Sequence, residues 1–574
     1  MLQLPRDRRP RARSTVGGGP AVSRVGRRRL RLVAVAVALA GIFLGARAAQ
    51  LSIVDFQEFQ ALAAEGAAGG QERVEERGDI LTADGRQLAT SLPASRVVAT
   101  PYQIEEPAEV AAQLEDVLGP ETGMAASGIE EKLTTKNGSG ELAGYSPVAE
   151  GIGPEVAREI ETLGIEGIST DPDAVRAYPH EDLASQLTGH LGGYGEAFGG
   201  IEGHHDKTLE GGEDVSLTLD AAVQQELESS LEEAVGENGA EGAQGLVMRV
   251  DDGSIVALAN SPGYDNNNYE ESSPEEQRNR VLTDPYEPGS TFKAFTLAAA
   301  LEEGSITQET GFVVPDSIKV ADRTINDSEE HETERMTPEE ILAESSNVGT
   351  VKVAQELGGE ALAEHTRDFG FGEPTGVDLY GEDAGNVPAY RDWSGSSIGN
   401  IPIGQGLTAT PLQLAAGYAT LANGGFRVTP HIEDSAGSEG RGERVISRNT
   451  SDIVRGMLQT VVDDGTGQMA QIPGYSVAGK TGTSQKVDQE TGTYGGGYIV
   501  SFAGFAPADD PEYVTLIVVD DPQESIWGEV VAAPAFQKVM SFTLSYSNVV
   551  PDRPGREARE PAQPQETAAA GETP

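Results

Sequence analysis

Residues 288–301 read PGSTFKAFTLAAAL, and the reading of this stretch decides the fold. Phe292, Phe295, Leu297 and Leu301 leave it without a polar face, so the spacing predicts a buried helix. Its one charge is Lys293. Pro288-Gly289 marks the start, and Ser290 lies at the helix N-terminus, three residues before Lys293, which puts hydroxyl and amine on one face about one turn apart. An amine denied solvent loses affinity for its proton. It then serves as base to a hydroxyl that is otherwise a weak nucleophile, and the helix N-terminus favours charge developing beside the serine. Alone the pattern is thin, since S-x-x-K arises by chance about 0.6 times in such a composition. A capping serine followed by a lysine that escapes to solvent has the same spelling.

Outward from this helix, two more stretches combine residue types that suit catalysis. Ser345-Ser346-Asn347 lies between predicted helices at 338–344 and 348–357, although Ser and Asn also serve as ordinary caps, and the same S-x-N spacing recurs at Ser447-Arg448-Asn449. Lys480-Thr481-Gly482-Thr483 lies on a predicted strand, and K-T-G is expected by chance only about 0.1 times. Such a strand suits an extended peptide: Gly482 permits close backbone approach, the hydroxyls donate to a carboxylate, and the lysine adds positive charge. Strict alternation puts Lys480 opposite Thr481 and Thr483, so either the strand twists or the lysine arm bends.

The surrounding pattern predicts a sheet flanked by helices. Residues 214–220 alternate Val215, Leu217 and Leu219 as a strand, Asp220 caps a helix through Val235, and 245–250 with 254–258 form a hairpin. Helices are expected through 292–357 and at 411–422, strands at 475–480, 498–505 and 513–520, and a last helix at 534–544. Ahead of these lies a region rich in Ala, Gly and Glu. It has strand pieces at 95–98 and 164–170, helices at 107–118 and 154–163, and a strand entering a tight turn at 77–85.

Composition narrows the classes. The 574 residues are 38% apolar and contain no cysteine, which excludes disulfides, thiolate catalysis and cysteine-ligated metals. The seven histidines show no H-E-x-x-H spacing, and the adjacent His204 and His205 are a poor geometry for one metal. The net charge of -51 argues against nucleic acid. Residues 1–31 carry ten Arg and one Asp, leaving 31 basic and 91 acidic side chains on the other 543. The uncharged stretch 32–46 reaches about 22 Å as a helix. Extension to 30–49 recovers the roughly 30 Å of a hydrocarbon core. The arginines place the N-terminus in the cytoplasm and the acidic bulk outside. A cleaved signal peptide with its site at Ala46-Arg47-Ala48 has the same consequence for compartment.

S-x-x-K, S-x-N and K-T-G in this order are the motif set of the penicillin-binding proteins and serine β-lactamases. From Arg77 to about Pro534 the chain resembles the class B penicillin-binding proteins, most closely the septal type. Further matching phrases are Arg77-Gly78-Asp79-Ile80, GIEGHHDKTLEGG (200–212), GQGLTATPLQLAAGYATLANGG (404–425) and SFAGFAPADDPEY (501–513). Asn347, where elongation-type relatives often have Asp, favours the septal branch. Thr82 departs from the usual Asp of the first motif.

The resemblance implies a multidomain α+β chain. Its expected parts are a basic cytoplasmic tail (1–31), a transmembrane anchor (32–49), an elongated α+β pedestal or dimerisation domain (50–215), a transpeptidase domain of serine β-lactamase-like fold (216–548) with a mostly antiparallel sheet flanked by helices, and a disordered tail (549–574). It implies a peptidoglycan D,D-transpeptidase, sited in the cell membrane, that cross-links D-Ala-D-Ala stem peptides and binds β-lactams covalently. By the same resemblance Ser290 is the nucleophile and Lys293 its base, Ser345 relays a proton to the leaving amine, and Asn347 orients Lys293 and the substrate. Lys480, Thr481 and Thr483 hold the carboxylate beside Gly482, and the N–H groups of Ser290 and Thr483 form the oxyanion hole. A SEDS-family glycosyltransferase and other division proteins are the implied partners, and the resemblance implies no metal and no organic cofactor. A carboxypeptidase or β-lactamase would use the same residues with water as acceptor, and a β-lactam sensor or scaffold would not turn over.

Overall fold

The computed structural model describes residues 77–193, 195–434, 442–487 and 494–555. The expected basic tail and anchor lie outside them; among the described residues no helix is long and apolar enough to cross a membrane. The chain enters through β1 (Ile80–Leu81), turns, and runs back as β2 (Gln87–Ala99). Thr82 closes that turn: its hydroxyl donates to Asp84 Oδ1 at 2.6 Å and accepts from the Arg86 N–H at 3.0 Å. Then come α1 (Pro107–Thr122), α2 (Ala126–Leu133), β3 (Ser146–Ile152), α3 (Pro154–Leu163) and β4 (Ile168–Ala177).

Proline at the first position opens α1 and α3, and left-handed Gly123 and Gly164 end them. Because Gly164 serves as that stop, the strand expected from 164 begins only at Ile168. β3 and β4 both pair antiparallel with β2, while β1 pairs parallel with β5 (Val215–Ser216). Leu114, Leu118, Ile129, Leu133 and Ile152 form a separate small core. The foot of this region is different, since Ile80, Leu88, Tyr178, Ile201 and Leu209 share a core with Leu246 and Phe292 of the second region.

Beyond β5, Leu217 and Leu219 keep the alternating burial of a strand, but the ladder stops at Ser216 and Leu217 forms only an isolated bridge to Glu433. The Asp220 carboxylate accepts from the N–H groups of Ala222 and Val223 and so caps α4 (Ala221–Asn238). The hairpin follows as β6 (Gly242–Arg249) and β7 (Ile255–Ser261). Helices α5 (Lys293–Glu302), α6 (Pro338–Ala343), α7 (Asn347–Leu357), α8 (Pro411–Ala422) and α9 (Arg448–Asp463) fill the middle. β8 (Ala478–Val487), β9 (Tyr494–Ala506), β10 (Tyr513–Asp520) and α10 (Gly528–Tyr546) complete the region.

The five long strands form an antiparallel sheet in the order β8-β9-β10-β6-β7. Alternation decides its two faces: Leu246 and Met248 join the core of α5 and α8, while Ala243 and Val247 join that of α4 and α10.

Three expectations need correction. The stretch between α5 and α6 is not helical; Phe312–Val314 pairs with Glu334–Met336 and Ser317–Val320 with Arg323–Asn326, short runs whose period of two was overlooked. The last helix starts at Gly528 rather than Pro534, which sits inside it and forfeits one backbone hydrogen bond. The tail is not loose from 549: Val549 is buried, Asp552 Oδ1 accepts from the Ser476 N–H at 2.8 Å, and Arg553 pairs with Asp463 at 3.1 Å. Residues 556–574 lie outside the described residues.

Candidate active site

The first turn of the quoted stretch is a 3-10 turn, Gly289–Phe292, closed by a hydrogen bond from the Lys293 N–H to the Ser290 carbonyl. Side chains at i and i+3 eclipse in that geometry, so Ser290 and Lys293 share one side more closely than an α-turn would give. Phe292, Phe295, Phe371 and Tyr418 pack behind it, with ring centroids 4.9–5.5 Å apart. The Tyr418 hydroxyl donates to the Thr291 carbonyl at 2.9 Å, tying the turn to α8. Burying each such ring contributes on the order of 1.5–3 kcal/mol, which fixes the turn without using Ser290. Ser290 itself is half-buried, while Lys293 is 0% exposed.

Two glycines allow this turn to lie against β8. A Cβ on Gly289, whose φ is +56°, would fall 2.6 Å from the Thr483 carbonyl oxygen. One on Gly482 would fall 2.4 Å from Ser501 Oγ and 3.0 Å from the Pro288 carbonyl oxygen. Gly482 therefore admits the chain's own serine-bearing turn, a closer neighbour than the extended ligand that the sequence suggested. The backbones of Ser290 and Thr483 are adjacent as a result.

Lys293 Nζ donates to the Ser345 carbonyl and, at 3.2 Å, to Ser345 Oγ. Ser345 takes the left-handed conformation, with φ of +59°, so that both its oxygens face the amine. Ser346 does the capping: its hydroxyl accepts from the Gly349 N–H and donates to Asp327 Oδ2, both at 2.8 Å. The Asn347 side-chain amide donates to the Asn326 carbonyl at 2.9 Å. By contrast Ser447, in the second S-x-N, only caps α9.

Lys480 is also 0% exposed. Its arm bends rather than the strand twisting away: Nζ reaches Thr481 Oγ1 at 3.1 Å and Thr466 Oγ1 at 3.2 Å, while β8 keeps its register with β9. Thr483 Oγ1 donates to the Ile526 carbonyl at 3.3 Å. Burial lowers the affinity of both lysines for protons. It brings Lys480 down to about 7, against the attraction of the Glu529 carboxylate. Lys293 is pushed well below its ordinary range by burial and then by the charge of Lys480, with Asp327 opposing.

The three motifs thus converge on one cleft. Thr466, Asp327 and Glu529 join them from loops and a helix start that sequence reasoning passed over. Their only sequence signal is proximity to a turn or cap, in Asp464-Gly465-Thr466 and Asn326-Asp327-Ser328, which hundreds of surface residues share. The arrangement brings together a hydroxyl, a buried amine one 3-10 turn away, a second hydroxyl on that amine, and a second buried lysine held among threonines.

Comparison with known proteins agrees with this chemistry. Residues 244–541 match the family described as penicillin binding protein transpeptidase domain, and residues 73–281 match the penicillin-binding protein dimerisation domain. The chain is 32% identical over 519 residues to stage V sporulation protein D of Bacillus subtilis, covering 83% of this chain and 79% of that protein. It is 30% identical over 514 residues to peptidoglycan D,D-transpeptidase FtsI of Escherichia coli, covering 83% and 84%. A crystal structure of penicillin binding protein 3 from Mycobacterium tuberculosis with aztreonam superposes with a TM-score of 0.65 at 30% identity, covering 83% of this chain and 97% of that one.

Proposed function

Because the chain belongs to the class B penicillin-binding protein transpeptidases, we infer that it is a septal peptidoglycan D,D-transpeptidase working through an acyl-enzyme on Ser290. The observation that carries the residue assignment is the fully buried Lys293 amine, one 3-10 turn from Ser290 and hydrogen-bonded to Ser345. Neutral Lys293 takes the Ser290 proton as Oγ attacks the carbonyl of the penultimate D-alanine. The negative charge that develops on that oxygen is met by the N–H groups of Ser290 and Thr483, donors worth about 3–4 kcal/mol each in comparable sites.

The proton then passes through Ser345 to the nitrogen of the terminal D-alanine, the C–N bond breaks, and that residue leaves. Lys480, Thr481 and Thr483 hold its carboxylate, and Asn347 steadies the donor strand. An amine from a neighbouring stem attacks the ester, gives up its proton to the Lys293 side, and Ser290 Oγ leaves protonated, completing the cross-link. A β-lactam enters the same way. Its leaving nitrogen stays tethered in the opened ring, so no acceptor amine can take the vacated place.

The N-terminal segment would anchor this domain outside the membrane with its arginines inside, and the anchor and pedestal would meet a SEDS-family glycosyltransferase. Support for the topology is the charge asymmetry of the sequence. Mass spectrometry of the penicillin-acylated peptide tests the assignment: the adduct is expected on Ser290, and Ser290→Ala is expected to fold and lose all labelling. An adduct on another residue would falsify it. Lipid-linked pentapeptide with an acceptor amine is expected to yield cross-links; free acid alone would make the protein a hydrolase.

A further inference from the structure

A second group of side chains converges away from the cleft, at the foot of the pedestal. The short helix Gly200–His204 ends at His204, and His205 leaves the helical conformation with φ of −104° and ψ of 22°. Adjacent residues on a continuing helix diverge by about 100°. Here the helix has stopped, and the two rings come to 4.8 Å between centroids. Glu433, from the segment that bridges Leu217, joins them. One ligating atom from each of the three residues lies within 4.8 Å of the others.

His204 Nδ1 and His205 Nε2 are both buried, and neither has a hydrogen-bond partner. His205 Nε2 approaches Glu433 Oε1 to 2.8 Å, but without the angle of a hydrogen bond. A buried imidazole nitrogen without a hydrogen bond is uncommon; two on neighbouring residues, one of them against a carboxylate, ask for one shared explanation. We propose that His204, His205 and Glu433 bind a single divalent cation of the zinc class, which clasps the foot of the pedestal to the catalytic domain.

The donor set suits such an ion. Imidazole and carboxylate without thiolate favour Zn, Co or Ni over copper(I), and bonds of about 2.0–2.2 Å in a tetrahedron put ligand atoms about 3.3–3.6 Å apart, so the His205–Glu433 pair at 2.8 Å opens and the wider spacing, up to 4.8 Å, closes around the ion. The surroundings already steady the ligands. Asp378 accepts from the Ile432 and Glu433 N–H groups at 2.8 and 2.9 Å, fixing the backbone that presents Glu433, and Tyr380 covers His204 at 4.3 Å. The adjacency of the two histidines, which from sequence argued against a shared metal, is offset by the break in the helix. Glu202, two residues before His204, holds Arg77 and Arg176, so the ion would stiffen the same joint those ion pairs define.

Chelator-treated full-length protein in detergent, titrated with Zn²⁺ alone, tests this by calorimetry and by elemental analysis after gel filtration. One zinc per chain is expected, with affinity at least tenfold weaker in His204→Ala, His205→Ala and the isosteric Glu433→Gln. Co²⁺ added to the unmodified chain is expected to give the visible absorption of an imidazole-ligated site. Fluorescent penicillin labelling, unchanged in all three variants, reports that each is folded. Absence of stoichiometric zinc, or zinc retained undiminished in both histidine variants, as binding at His331 with Asp327 and Glu334 would give, overturns the proposal.

Discussion

At the foot of the pedestal the Glu202 carboxylate is 0% exposed and meets Arg77 Nε at 2.7 Å, Arg176 Nε at 2.6 Å and the Tyr178 hydroxyl at 3.3 Å. At the reaction centre Lys293 and Lys480 are as deeply buried, yet among the described residues neither forms an ion pair, and the charge of Lys480 raises the cost of charging Lys293. The first arrangement answers buried charge with opposite charge and many donors, which holds two segments in one geometry. The second gives its lysines only the more distant carboxylates of Asp327 and Glu529, too little to offset burial, which makes protons easy to lose. Burial is common to both; what surrounds the buried group decides whether it acts as a rivet or a base.

That contrast breaks most visibly at Lys293. Lys293→Met is expected to slow acylation by penicillin by about 10²–10⁴-fold, the usual range for a lost general base, while raising the unfolding temperature because an unpaired buried amine disappears. A variant that loses activity and stability together would show that Lys293 is held by favourable contacts, as Glu202 is. Glu202→Ala should do the reverse. Stranding the Arg176 guanidinium and leaving Arg77 with Asp206 alone is expected to cost about 3–5 kcal/mol of stability, read by denaturant titration, with acylation per folded molecule near normal.

Lys480 sharpens the comparison through pH. Its folded value of about 7 lies below the ordinary 10.5, so between these the unfolded chain binds more protons. The stability it withholds below about 7 is recovered as pH rises through that window. The cationic form is the one that grips a carboxylate, so the second-order acylation rate for a carboxylate-bearing β-lactam is expected to fall up to tenfold per unit above about 7. Stability rising while acylation falls is the signature; in Lys480→Ala both trends should vanish. The smallest effect is Thr466→Val, which removes one acceptor from Lys480 Nζ and is expected to cost about 1 kcal/mol of carboxylate binding, measured as roughly a fivefold loss in that same rate.

The parts legible in the sequence were those whose physics is local. The buried rod of 293–302, the cap at Asp220 and the strand at 513–520 lie within one element each. What escaped depends on distant chain meeting. Thr466 reaches Lys480 only because α9 delivers its loop to β8, and Asp327 reaches Ser346 only through a hairpin whose short strands were hidden among acidic residues. Sequence does not determine the bend of the Lys480 arm for the same reason, since strand periodicity fixes where a side chain starts and not where it ends. Thr82 is an instructive exception to motif reading, for its hydroxyl closes the turn with Asp84 and Arg86.

The contact between the serine-bearing turn and β8 has a consequence for escape from antibiotics. At 289 only a hydrogen atom fits between the two backbones, and at 482 a larger group meets Ser501 Oγ and the Pro288 carbonyl, so a side chain at either place would press the hydroxyl away from its strand and impair wall synthesis along with drug binding. Resistance evolving in this enzyme has no foothold at that seam.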